Sequence, residues 1–71
     1  MTIGHDTSMT LSRHQTLQEA VQFLAAHGID AIDVVDEYGC TVGRCTWWML
    51  LQALADEMDR ATAVEEVLAA F

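Results

Sequence analysis

Few side chains in this sequence are of a kind that does chemistry, and their spacing limits what each can do. Cys40 and Cys45 are five positions apart on one expected strand, which sends them to opposite faces and away from a disulfide or a shared metal ion. His5, His14 and His27 stand at no ligand spacing from either thiol, so no structural zinc is indicated. Asp36 and Glu37 adjoin in an expected turn, where water leaves carboxylates poorly suited to general acid–base work. Asp56, Glu57 and Asp59 beside Arg60 read as a solvated helix face. No histidine is implied beside a cysteine, so no Cys–His nucleophile is indicated, and the chain reads as a non-enzyme. What remains is a pair. Thr46 opens an expected helix and either caps it or contacts a phosphate there. Arg44 is the one cation close to that helix start, and either steers a phosphate or pairs with Asp33 or Glu37.

Composition narrows the field further. The 71 residues allow one small domain, and a chain of this size buries only about 60% of its unfolded surface. A hydrophobic share of 52% excludes disorder and implies apolar surface meant for a partner. The net charge is -8, and the three basic residues are the scattered Arg13, Arg44 and Arg60. Without a basic stripe, nucleic acid is excluded as a partner and anionic membrane surfaces are disfavoured. No apolar run approaches the ~18 residues of a membrane span, and the opening MTIGHDTSMT has neither the basic start nor the apolar core of a signal peptide. A cytoplasmic protein with free thiols is expected.

The elements that must position these residues follow from periodicity and punctuation. Residues 1–7 read as a loose lead-in. Met9 and Leu11 alternate with Thr10 and Ser12 as in a short strand. Thr16-Leu17-Gln18-Glu19 has capping-box spacing, Leu17, Ala20, Val21 and Leu24 form one helical face, and Gly28 supplies a left-handed stop. Ala31 to Asp36 is a β-branched run, Asp36-Glu37-Tyr38-Gly39 a hairpin turn, and Cys40 to Cys45 the return strand, with Gly43 marking a bulge or a close approach. Trp47, Leu50, Leu51, Leu54 and Met58 line a second helix. Thr62-Ala63-Val64-Glu65 has capping-box spacing and opens a last one, striped by Val64, Val67, Leu68 and Phe71. The order is β-α-β-β-α plus one extra helix, an α+β fold.

This ordered set resembles a cystathionine-β-synthase (CBS) domain motif over residues 8–57. The matching signals are His27-Gly28-Ile29 after the capped helix, Val34-Val35-Asp36 at the strand end, Gly39 in the turn, and Val42-Gly43. They continue with Thr46 at the next helix start and the Leu50-Leu51 and Ala53-Leu54 pattern within it. Residues 58–71, the C-terminal helix, lie outside the pattern. The resemblance implies a regulatory β-α-β-β-α unit that pairs through its sheet, with adenosyl ligands such as AMP, ATP or S-adenosylmethionine in the cleft between paired motifs. Since the sequence holds one copy, it implies a homodimer or a dimer of dimers, or pairing with another CBS-containing protein.

Carried over position by position, the family's pocket lining falls on Thr10, Ile32 and Thr46. In ligand-binding members a Gly-x-x-Thr-x-x-Asp pattern supplies the ribose-binding aspartate. Here Gly43 and Thr46 are kept and Met49 stands at the aspartate position, where a thioether is a poor acceptor. Asp33 takes the place of a proline usual beside the adenine. The adjacent Trp47 and Trp48 point about 100° apart on a helix, so one packs inside while the other meets a partner or stacks on a planar ligand. Together with Leu51, Val64, Leu68 and Phe71 they make the expected dimer interface. The alternative reading is a ligand-free assembly module, in which those apolar residues exist only to hold chains together.

Overall fold

The computed structural model describes residues 9–71, so the expected lead-in and His5 lie outside the described residues. Three short strands, β1 (Thr10–Ser12), β2 (Ala31–Val35) and β3 (Thr41–Thr46), form one sheet in that order. β1 runs parallel to β2, and β3 returns antiparallel. Helix α1 (Leu17–His27) makes the β1–β2 crossover, α2 (Trp47–Ala55) follows β3 directly, and α3 (Val64–Ala70) closes the chain. The expected α+β order is the observed one.

Strand alternation divides the sheet into two faces. Leu11, Ile32, Val34 and Cys45 are buried on one face, where all three helices cover them with Leu17, Ala20, Leu24, Leu50, Ala53, Val64 and Val67. Each fully buried Leu or Val contributes roughly 1.5–3 kcal/mol of apolar transfer energy, so this single layer of contacts carries the stability. The opposite face, with Thr10, Ser12, Ala31, Asp33, Val35, Arg44 and Thr46, is covered by none of the described helices and is exposed or half-buried.

Local chemistry fixes the element ends. The α1 capping box forms in full: the Thr16 hydroxyl accepts from the Glu19 amide at 3.1 Å, and the Glu19 carboxylate accepts from the Thr16 amide at 2.9 Å. Gly28 ends α1 in the left-handed region. In the β2–β3 turn, Asp36 Oδ1 accepts from the Tyr38 and Cys40 amides, both at 2.9 Å. Cys40 thus belongs to the turn rather than to the return strand, which starts at Thr41. A register shift between Val34 and Val35 makes a bulge next to Gly43. A Cβ on Gly43 would lie 2.9 Å from Leu68 Cδ1, so the glycine admits α3 against the sheet.

Two sequence expectations at helix ends need correction. α2 stops at Ala55, because Glu57 takes a left-handed conformation at φ 59° and the Met58 amide bonds back to the Ala53 carbonyl at 3.0 Å. Met58 therefore packs on the core from beyond the helix. The Thr62 capping box does not form: the residue preceding α3 is Ala63, which makes no side-chain cap. Instead the α1 and α3 starts cap each other. The Val64 and Glu65 amides donate to the Gln15 and Arg13 carbonyls at 2.7 and 3.1 Å, and the Leu17 and Gln18 amides donate to the Thr62 and Arg60 carbonyls at 2.8 and 3.1 Å.

Candidate functional site

The start of β1, the start of β2 and the end of β3 meet at one end of the sheet. Register places Thr10 beside Asp33, and Ala31 beside Thr46. From Thr46 the chain turns straight into α2, with the Trp47 amide donating to the Asp30 carbonyl at 2.8 Å. This brings Thr10, Thr46 and the α2 N-terminus to one edge. Ile32 is on the same edge, but it is only 4% exposed and its side chain is sunk in the core, so any contact it offers a ligand is through its main chain.

Thr46 is the N-cap of α2: its hydroxyl accepts from the Met49 amide at 3.1 Å. That bond occupies the hydroxyl as an acceptor and leaves its proton free to donate. Met49 is half-buried one turn along, where the family pattern has its aspartate. Arg44 is exposed on the open face and makes no ion pair with Asp33 or Glu37 among the described residues. Glu37 is engaged elsewhere.

Two concavities border this end and share Asp30, Ala31 and Trp47. One, of about 560 Å³, continues along Leu24, Ala25, Gly28 and Ile29; the other, of about 390 Å³, is lined by Thr46, Trp48 and Leu51. Trp47 is half-buried and packs on the core, whereas Trp48 is 66% exposed, dividing the pair as their helical angle requires. Asp30 is the site residue that sequence reasoning missed. Its position beside Gly28 at the mouth of β2 was the available signal.

The other expected interface residues separate. Leu51 and Phe71 are exposed, with Leu51 beside Trp48 and Phe71 at the chain end. Val64 is fully buried against its own chain and is removed from the expected interface, because α3 uses it to dock on the core. The tip of Leu68 is taken up by Gly43.

Chemistry at the far end of the strands is structural. Glu37 accepts from His14 Nε2 at 2.8 Å and lies 3.0 Å from Arg13 Nη2. Glu65 at the start of α3 lies 3.8 Å from Arg13 Nε and 3.7 Å from His14 Nδ1. The His14 hydrogen bond, followed by the backbone amide of Glu37 and then Arg13, holds the Glu37 carboxyl down at about 2. His14 faces the two carboxylates through different ring nitrogens, and among the described residues no group of three such side chains is arranged to hold a metal ion. Cys40 and Cys45 are both free; burial pushes the Cys45 thiol up to about 11, which makes it a poor nucleophile. No described helix is long and apolar enough to cross a membrane.

No family model matches the chain, and no curated protein matches it in sequence. Solved structures do. A CBS-domain-containing protein from Agrobacterium tumefaciens superposes with a TM-score of 0.78 at 27% identity, over 86% of this chain and 47% of that one. An acetoin utilization protein from Vibrio cholerae gives 0.75 at 29%, over 82% and 44%. A CBS domain pair in complex with 5′-methylthioadenosine and S-adenosyl-L-methionine gives 0.65 at 30%, over 86% and 48%. The chain has the fold of a single CBS motif. It spans about half the length of the structures it matches, which for the domain pair amounts to one motif of two. The open sheet face and the edge carrying Thr10, Thr46 and Met49 are therefore features of one CBS motif seen without a second.

Proposed function

We propose that this chain is half of a regulatory CBS module, completed by a second motif, foremost a second copy of itself, and that it senses an adenosyl ligand at the Thr46 end of its sheet without catalysing a reaction. The observation that carries this reading is the position of α3. A helix across the ligand end would make the edge a closed assembly surface; α3 instead docks at Gly43, Arg13 and Gln15, at the opposite end of the strands. Among the described residues, nothing covers the Thr46 edge and its two concavities. Binding would then favour one packing of the paired motifs over another, a shift of population rather than chemistry.

Charge supports one kind of adenosyl ligand over another. Asp30 lines both concavities, in a chain of net charge -8. A sulfonium such as that of S-adenosylmethionine is favoured there, AMP less so, and ATP least. The second reading, a ligand-free assembly surface, is favoured by Met49 in the ribose position and by the exposed Trp48 and Leu51 at the cleft.

Thermal unfolding with each ligand decides between them. A ligand at 100 times its dissociation constant adds about 2.7 kcal/mol, or roughly 10–20 °C in a domain of this size. The sensing reading expects such a rise with S-adenosylmethionine, and tighter binding by about tenfold in Met49→Asp, which restores a charged acceptor for the ribose. No rise in either protein would leave the assembly reading.

A further inference from the structure

Resting on the reading that two copies of this chain pair through their sheets, we infer that Asp33 of each copy pairs with Arg44 of the other and that these two contacts set the register of the joined faces. Most of that face is short and uncharged: Thr10, Ser12, Ala31, Val35 and Thr46. Asp33 and Arg44 are its charges, and they lie directly opposite each other across the β2–β3 seam. Cross-strand neighbours place their Cβ atoms about 4.5–5.5 Å apart, well within reach of an ion pair. Yet among the described residues neither forms a salt bridge, with the other or with anything else.

Symmetry turns this unmatched pair into a prediction of geometry. Two identical faces meet about a twofold axis lying between them. An axis running across the strands at this level sets Asp33 over Asp33 and Arg44 over Arg44, two like-charge contacts. An axis running along the strands above the β2–β3 seam exchanges the two sides, so each Asp33 lies over the other copy's Arg44. The charges select the second arrangement. It also carries both Thr46 edges to the same end of the pair, where two half-clefts face each other. Each copy carries -8, so long-range repulsion opposes association and the two local ion pairs set the register.

Charge reversal and sedimentation equilibrium test this. Asp33→Arg and Arg44→Asp should each weaken self-association on the order of 100-fold, since two attractive contacts become two repulsive ones. An equimolar mixture of the two variants should recover a heterodimer near the affinity of the unmodified chain. The milder Asp33→Asn and Arg44→Gln should each lose on the order of tenfold, with unchanged circular dichroism showing that the fold is intact. A parent chain that dimerises, with variants that dimerise equally well, would overturn the charge pairing and leave the paired module standing. A parent chain that stays monomeric at millimolar concentration would overturn the charge pairing together with the pairing of this chain with itself.

Discussion

The two ends of the sheet are built from the same strands and finished in opposite ways. At the α3 end, backbone amides of two helices are satisfied by each other's flanking carbonyls, Leu68 seats on Gly43, and Arg13, His14, Glu37 and Glu65 bind three segments together. At the Thr46 end, one side chain caps α2, while among the described residues Trp48, Leu51 and Arg44 face solvent and two concavities stand open. One end is spent on holding the chain together. The other keeps polar and aromatic groups unengaged, as a surface that meets a ligand or a second motif must.

Removing buried volume should expose this contrast most strongly. Val67→Ala, at a fully buried position of α3, should cost about 2 kcal/mol in urea unfolding, whereas Trp48→Ala should stay within about 0.5 kcal/mol at dilute concentration. Comparable losses at both would erase the distinction. A smaller effect sharpens it at a single contact: Gly43→Ala should cost about 1 kcal/mol, because its Cβ would come within 2.9 Å of Leu68 Cδ1. In a Leu68→Ala background the same change should cost nearly nothing, and a strictly additive double mutant would show that Leu68 does not seat there.

The smallest effect concerns pH. Glu37 is held at about 2, below the ordinary carboxylate value, so its contribution is present above pH 4.5 and is lost as pH falls from there toward 2. Thermal melts across that window should fall less steeply for Glu37→Gln than for the parent chain. Equal slopes would mean that the cluster does not help fasten this end.

Much of this fold is legible in the residues. The Thr16 capping box, Gly28 and the apolar stripe of α1 are local signals whose physics does not depend on the rest of the chain, and they form as read. The end of α2 was not legible, since Glu57 adopts a left-handed conformation that the sequence would signal with glycine. Thr62 misled for the converse reason: its hydroxyl suits a cap, but tertiary contact with Gln15 and Arg13 satisfied those amides first. At the site, Thr46 and the division between Trp47 and Trp48 followed from helix geometry. The burial of Val64 depends on where α3 docks, which periodicity alone does not specify, and the expected Arg44–Glu37 pair gives way to the contacts of Glu37 with Arg13 and His14.

Amide chemical shifts followed while S-adenosylmethionine is titrated into the chain would test the central claim most directly. The account predicts perturbations gathered at Thr10, Ala31, Thr46, Trp47 and Met49, with Arg13, Glu65 and Leu68 unmoved. Perturbations gathered at the α3 end, or none anywhere up to millimolar ligand, would contradict it.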